Sequence, residues 1–154
     1  MHICFVCTGN ICRSPSAALV LAEHLRRAGL DGRVRVTSAG LGGWHAGEGI
    51  DPRAAEALAG HGYPVEHVAA RIGPAHLDAD LLVAMDGGHE KALLRMADDP
   101  ARVRLLRSFD PDAIGDLDVP DPYYGGPEGF EEVLAMIEAA MPGLLDRVRA
   151  DLDA

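Results

Sequence analysis

The sequence is short of positive charge, aromatic side chains and long apolar runs. Only Lys91 is a lysine, and 24 acidic against 14 basic residues leave a formal net charge of −10. That charge argues against nucleic acid or an anionic membrane as the main partner. No apolar run approaches the roughly 20 residues of a membrane-spanning helix. The N-terminal residues lack the basic region and apolar core of a signal peptide, so the expected compartment is the cytoplasm, with export by another route left open.

Cysteine is scarce too, and its placement excludes two classes of protein. Cys4, Cys7 and Cys12 are the only three, all near the N-terminus. An odd number placed so closely does not build the disulfide framework of a secreted protein. Zinc is an alternative interpretation of Cys-x2-Cys-x4-Cys, but no downstream Cys pair or closely spaced His pair completes such a site. We therefore expect no metal and no cofactor.

What the chain does contain is typical of one globular α/β domain. Its 154 residues are 48% hydrophobic and 25% charged, without repeats or linkers, which predicts a single domain over residues 1–154 and a monomer. Short apolar runs typical of buried strands alternate along the chain with segments whose apolar residues recur at helical spacing. We expect four parallel strands with helices on both faces, the flavodoxin-like doubly wound arrangement. The predicted strands are His2–Val6, 34–40, Leu81–Met85 and Arg102–Leu106. The predicted helices begin after Ser14, at Asp51-Pro52, near His89 (His89–Met96) and near Pro127.

Two prolines indicate where helices begin or are interrupted. Ser14 followed by Pro15 predicts an N-cap and the first position of a helix that ends before Gly29. Pro142 lies inside the last helix, where its ring should kink or restart the helix.

The most informative segment is the loop from Cys7 to Ser14, between the first strand and the first helix. The main-chain N–H groups of Thr8, Gly9, Asn10, Ile11 and Cys12 can point inward at an anion, and Arg13 can bind two of its oxygens. The same donors, with the Ser14 hydroxyl, favour Cys7 as a thiolate. Asn10 suits the positive φ that a tight loop needs. These residues predict a phosphate site with a cysteine nucleophile; the alternative is an inert buried cysteine.

Cys-x5-Arg-Ser at the N-terminus resembles the low-molecular-weight protein tyrosine phosphatase family. The similarity extends over essentially the whole chain and is strongest to the actinobacterial secreted-type members. It is carried by Ser38-Ala39-Gly40, Trp44-His45, His67, Met85-Asp86 and the run from Asp121 to Gly125.

The resemblance implies a role for each of these residues. Cys7 would accept the phosphoryl group, Arg13 would bind it, and Asp121 would serve as general acid and then as general base. Asp86 would orient Arg13, although capping of the next helix explains it equally well. Cys12 would form a protective disulfide with oxidised Cys7. The loop-supporting residues would be Asn10, Ser14, Ser38 and His67; the substrate walls would be Ile11, Trp44, His45, Tyr123 and Tyr124.

The resulting hypothesis is a phosphatase that acts on phosphotyrosine-containing proteins and aryl phosphates and releases inorganic phosphate. An arsenate reductase would need redox cysteines after Cys12, and there are none. A second alternative is a protein arginine phosphatase. Its relatives carry threonine at the position of Ile11 and a single Phe after Asp-Pro, so Ile11 and the pair Tyr123-Tyr124 favour phosphotyrosine as the substrate. A third alternative is a non-catalytic phosphate-binding module. It would need neither Cys7 nor Asp121, so the presence of both residues disfavours it. His89 stands where the family's asparagine is expected, so no role is assigned to it.

Overall fold

The computed structural model describes residues 1–154 and confirms the predicted α/β class. Four parallel strands form one sheet in the order β2-β1-β3-β4. The chain runs through β1 (His2–Cys7), α1 (Arg13–Arg27), β2 (Arg35–Gly40), α2 (Pro52–Gly60), α3 (Pro74–Leu77), β3 (Leu81–Ala84), α4 (Gly87–Met96), β4 (Val103–Leu105) and α5 (Pro127–Leu152). Two 3-10 turns, Pro100–Arg102 and Leu106–Phe109, flank β4.

The central strand β1 shows why helices cover both faces of the sheet. Its side chains point alternately to opposite faces, as in any strand. Ile3 and Phe5 pack in the larger core, with residues of α1, α2 and α5. Cys4 and Val6 pack in a smaller core with Leu93 of α4. Both faces are therefore buried, and this explains the continuous apolar runs in the sequence.

The strand order determines where a site can form. After β1 the chain crosses to β2 on one side, and after β2 it returns to β3 on the other side of β1. In such sheets ligands bind outside the carboxyl ends of the strands, at the point where the order reverses. Here that point lies beyond Cys7 of β1 and Ala84 of β3.

Helix α1 begins one residue before the predicted cap, so the assignment of Ser14 as its N-cap is wrong. Cys12 occupies the N-cap position and makes no side-chain capping hydrogen bond. The Ser14 hydroxyl instead contacts Cys7 and Asn10 within the loop. The predicted end is confirmed: Gly29 has a φ of 72°, and the N–H of Leu30 donates to the carbonyl of Leu25, as in a Schellman motif.

Helix α5 continues through Pro142 as one element, so the expected restart does not occur. Proline removes one hydrogen bond within the helix. The buried face on both sides of it keeps the helix in place: Ile137 and Met141 precede Pro142, Leu144 and Val148 follow it, and all four are buried. The cap at Asp51 is as predicted, because its carboxylate accepts from the N–H of Arg53.

Between Phe109 and Pro127 the chain forms neither helix nor strand. Val119 attaches this segment to the sheet, because it is buried and its N–H donates to the carbonyl of Met85 at 2.8 Å. Arg107 holds the segment as well, donating to the carbonyls of Asp116 and Asp118. The predicted acid, Asp121, is thereby brought to the carboxyl edge of the sheet.

None of the helices combines the length and the apolar character needed to cross a bilayer.

Candidate active site

A cavity of about 220 Å³ opens at the carboxyl end of β1. Its floor is the loop that begins at Cys7 and ends at Arg13, and Asp121 lies at its edge. The five residues predicted as substrate walls all line it: Ile11, Trp44, His45, Tyr123 and Tyr124. The residues predicted to support the loop do not line the cavity: Asn10, Ser14, Ser38, His67 and Asp86.

The loop presents a set of main-chain donors that the protein itself does not use. The N–H groups of residues 8–12 have no hydrogen-bond acceptor within the chain. Buried or partly buried N–H groups normally have a partner. Together with the N–H groups of Arg13 and Ser14 at the start of α1, which also lack acceptors, they form an anion-binding cradle.

Cys7 is buried at the start of this loop, and its sulfur lies 2.8 Å from Oγ of Ser14. The Ser14 oxygen accepts a hydrogen bond from Nδ2 of Asn10 at 2.9 Å, so its own O–H is left to donate to the sulfur. A hydroxyl donor favours the thiolate form of a cysteine over the thiol. Ser14 therefore gives the sulfur of Cys7 a directed O–H donor.

The other two cysteines are in environments that favour the thiol. Burial raises the pKa of Cys4 to about 11. Burial, followed by the nearby charges of Asp51 and Cys7, raises the pKa of Cys12 to about 12. All three are free thiols, and they form no group with other side chains that could hold a metal ion. Only Cys7 has both a stabilising hydroxyl partner and access to the cradle.

Asn10 joins the loop to the rest of the molecule. It has a φ of 60° and is fully buried. Its Nδ2 also donates to Oγ of Ser38, and its Oδ1 accepts from the N–H of Ala70. His67 donates from Nε2 to the main-chain carbonyl of Asn10 at 2.7 Å, and burial lowers the pKa of His67, which keeps the ring neutral. The loop thus keeps its shape through contacts with two other segments, β2 and the stretch from His67 to Ala70.

Arg13 is held by a carboxylate and a carbonyl. Its Nη1 donates to Oδ2 of Asp86 at 2.9 Å and to the carbonyl of Val119 at 3.0 Å, and its side chain is 5% exposed. Nη2 remains directed toward the cavity, 3.8 Å from Oδ2 of Asp121. The structure thus places one guanidinium between the predicted phosphate site and the predicted acid.

Both sequence interpretations of Asp86 describe real contacts. Besides binding Arg13, the carboxylate caps α4, because its Oδ1 accepts from the N–H of His89. Burial alone would raise the pKa of Asp86, but the hydrogen bonds from that N–H and from Arg13, together with the positive charge of Arg13, hold it below its usual value.

His89, to which the sequence assigned no role, is buried beside the loop. Its Nε2 lies 2.9 Å from Oγ1 of Thr8, while Nδ1 has no hydrogen-bond partner and lies 3.2 Å from Oδ1 of Asp86. Burial lowers the pKa of His89 to about 4, even though Asp86 opposes the shift. At neutral pH the contact with Asp86 is therefore not an ion pair.

The aromatic walls depend on a glycine and on an edge-on pair of tyrosines. A Cβ at Gly42 would lie 1.7 Å from a ring carbon of Trp44, so only glycine leaves room for the indole as it stands. Tyr123 and Tyr124 pack edge to face with their ring centroids 5.0 Å apart. Trp44 is 74% exposed and Tyr124 is 92% exposed, so the rim of the cavity is apolar and open to solvent.

A further pair near the cavity, Asp51 and Arg53, was absent from the sequence prediction of the site. Arg53 donates to the main-chain carbonyl of Tyr123 at 2.8 Å. In the sequence the pair reads only as the start of a helix, because 70 residues separate Arg53 from Tyr123.

The comparisons with known proteins point to one phosphatase family. The sequence model described as low molecular weight phosphotyrosine protein phosphatase matches residues 2–154. Low molecular weight protein-tyrosine phosphatase A of Mycobacterium tuberculosis is 56% identical, with 96% of this chain and 91% of that protein covered. A low molecular weight protein-tyrosine-phosphatase of Streptomyces coelicolor is 55% identical, with 99% and 96% covered.

The fold also has counterparts among solved structures. The crystal structure of a protein tyrosine phosphatase from Entamoeba histolytica superposes with a TM-score of 0.92 at 30% identity, and 98% of each chain is covered. The match to the family's sequence model, the identity to named relatives and the similarity of fold together show that the chain belongs to the low molecular weight phosphotyrosine protein phosphatase family.

Proposed function

We propose that this protein hydrolyses phosphotyrosine in proteins through a phosphocysteine intermediate on Cys7. The observation that carries the proposal is the position of the Cys7 sulfur. The sulfur is hydrogen-bonded to Oγ of Ser14. It lies at the start of a loop in which five main-chain N–H groups have no acceptor in the protein. Such donors suit the three outer oxygens of a phosphoryl group in transfer.

In the first step the Cys7 thiolate attacks phosphorus, and the bond from phosphorus to the aryl oxygen breaks. The loop amides and Nη2 of Arg13 bind the phosphoryl oxygens. Asp121, at the cavity edge, gives its proton to the departing phenolate oxygen. The products of this step are the free tyrosine side chain and phosphocysteine.

In the second step a water molecule attacks the phosphorus of phosphocysteine. Asp121, now a carboxylate, takes a proton from that water, the P–S bond breaks and inorganic phosphate leaves. The thiolate of Cys7 is regenerated, with the Ser14 hydroxyl again as its donor. Asp121 is suited to both steps because it is 46% exposed and can exchange its proton with solvent.

The apolar side chains at the cavity entrance favour an aryl phosphate as the substrate. Ile11, Trp44, Tyr123 and Tyr124 surround the entrance above the phosphate cradle with apolar surface. A phosphotyrosine ring can bury itself against these side chains, whereas phosphoserine is too short to do so.

The test compares three proteins on peptides that carry phosphotyrosine, phosphoserine or phosphoarginine. Wild type should prefer phosphotyrosine and should keep its activity in the presence of a chelator. Cys7→Ser should lose turnover but still bind inorganic phosphate, and acid quenching of wild type during turnover should trap an S–P bond. Asp121→Asn should slow phosphotyrosine hydrolysis by roughly 10²- to 10⁴-fold. Turnover by Cys7→Ser would contradict the covalent mechanism, and a preference for phosphoarginine would contradict the substrate.

We further expect a monomer in the cytoplasm. The free thiols of the chain suit a reducing compartment. Size-exclusion chromatography with light scattering tests the monomer, and a dimer at micromolar concentration would contradict it.

A further inference from the structure

The first turn of α2 is attached to the phosphate loop through Asp51. The N–H of Asp51 donates to the carbonyl of Ile11 at 2.9 Å. Its buried carboxylate caps α2 and accepts two further bonds from the Arg53 side chain, at Nε (3.1 Å) and Nη2 (2.9 Å). This bidentate pairing fixes the plane of the guanidinium. Arg53 is therefore held in a defined position relative to the loop.

From that position Arg53 reaches the loop that carries the acid. Its Nη1 donates to the carbonyl of Tyr123 at 2.8 Å. The guanidinium carbon lies 5.1 Å from the centroid of the Tyr123 ring and 4.8 Å from that of Phe130 in α5. One planar cation thus supports both the main chain and the side chain of Tyr123, at distances typical of cation–π contacts.

Tyr123 in turn orients Asp121. The N–H of Tyr123 donates to Oδ1 of Asp121 at 3.0 Å. With Oδ1 engaged, Oδ2 is the oxygen that faces Nη2 of Arg13 across the edge of the cavity. Two consecutive hydrogen bonds, through the carbonyl and the N–H of one residue, therefore connect Arg53 to the carboxylate of Asp121.

We propose that Arg53 is a positioning residue for the reaction: it fixes the segment from Asp121 to Tyr123 against the phosphate loop, so that the acid and the aromatic wall meet the leaving group together. This inference rests on the proposed role of Asp121 as the general acid. Arg53 itself touches no reacting atom. Its effect passes through Tyr123.

Lysine cannot replace all of these contacts at once. The planar guanidinium binds Asp51 with two N–H groups, donates to a carbonyl with a third and lies against two rings. An ammonium group can keep the charge and one or two of the hydrogen bonds, but it lacks the fork and the flat face. A lysine variant should therefore have intermediate properties.

The experiment measures kcat/KM on phenyl phosphate, a poor leaving group, and on p-nitrophenyl phosphate, a good one, for wild type, Arg53→Met and Arg53→Lys. kcat/KM reports the steps up to loss of the leaving group, where a poorly placed acid slows the poor leaving group most. The matched control is Arg147→Met, which removes an arginine paired with Asp151 near the end of α5. Inhibition by inorganic phosphate reports the cradle separately, and melting curves verify that each variant is folded.

In Arg53→Met we expect kcat/KM for phenyl phosphate to fall about 10- to 100-fold, the range expected when a reacting group is displaced by about 1 Å. The fall for p-nitrophenyl phosphate should be several-fold smaller, phosphate inhibition should be unchanged, and Arg53→Lys should recover part of the loss. Arg147→Met should behave as wild type.

Two results would overturn the inference while leaving the proposed function intact. One is an Arg53→Met enzyme with the wild-type ratio between the two substrates and unchanged phosphate inhibition. The other is an equal loss on both substrates together with weaker phosphate inhibition, which would mean that Arg53 only maintains the fold. A wild-type enzyme without activity on either substrate would instead overturn the proposed function, and this inference with it.

Discussion

Substitution of Asn10 tests the physical account of the phosphate loop most directly. Its side chain makes three hydrogen bonds, to Ser14, Ser38 and the N–H of Ala70, and all of them are lost in both Asn10→Gly and Asn10→Ala. At about 1 kcal/mol each, either variant should lose about 3 kcal/mol of unfolding free energy.

The two variants separate the hydrogen bonds from the backbone conformation. Asn10 has a φ of 60°, which costs alanine about 1–2 kcal/mol. Glycine adopts this φ freely, but it adds about 0.5–1 kcal/mol of conformational entropy to the unfolded chain. Asn10→Gly should therefore be the more stable of the two by about 1 kcal/mol, or about 2–4 °C in Tm for a chain of this size.

Asn10→Asp keeps the shape of the side chain but puts an acceptor in place of Nδ2, which donates to both Ser14 and Ser38. A carboxylate accepts where Nδ2 donates, so it would attract the Ser14 hydroxyl away from the sulfur of Cys7. Loss of one oriented donor to a thiolate, about 1.5–3 kcal/mol, predicts a fall of about 10- to 100-fold in kcat/KM.

Urea unfolding and kcat/KM on p-nitrophenyl phosphate measure both effects. Equal stability of the glycine and alanine variants would refute the argument from φ. Stabilities within 1 kcal/mol of wild type would refute the contribution of the hydrogen bonds. Full activity of Asn10→Asp would show that the Ser14 hydroxyl does not act on Cys7.

Three further predictions concern the surroundings of the loop. Folded His89 resists protonation until about pH 4, against 6.5 when unfolded, so stability should fall by up to about 3 kcal/mol as pH drops through this window. Urea unfolding of His89→Asn should show a smaller fall, and an equal one would contradict the assignment. After peroxide treatment, wild type should recover with a thiol reductant and Cys12→Ser should recover less, because only Cys12 can trap oxidised Cys7 as a disulfide; equal recovery would exclude this role. Gly42→Ala should displace the Trp44 ring and raise KM for phenyl phosphate about two- to fivefold without changing phosphate inhibition; an unchanged KM would show that the indole does not bind the substrate.

Ser14 and Pro142 show how local patterns can mislead. Serine before proline is a good capping pattern, but Ser14 lies inside α1 and its hydroxyl serves Cys7 and Asn10. Proline within a helix predicts an interruption, but buried side chains on both sides of Pro142 hold α5 together. In both cases other contacts outweigh a local preference worth about 1–3 kcal/mol: hydrogen bonds within the loop for Ser14, and core packing for α5.

The amino-acid sequence alone determined the order of strands and helices and the position of the Cys7–Arg13 loop, because these depend on local periodicity and on the spacing of residues a few positions apart. The family resemblance named most of the distant residues of the site, but only the tertiary structure decided which of them contact one another and added Arg53. Arg53 with Tyr123, His67 with Asn10, and Arg13 with Asp121 are pairs separated by 57 to 108 residues that meet at one edge of the sheet. The physical reason is that such contacts depend on how strands pair and helices pack, and neither partner carries a local pattern that identifies the other.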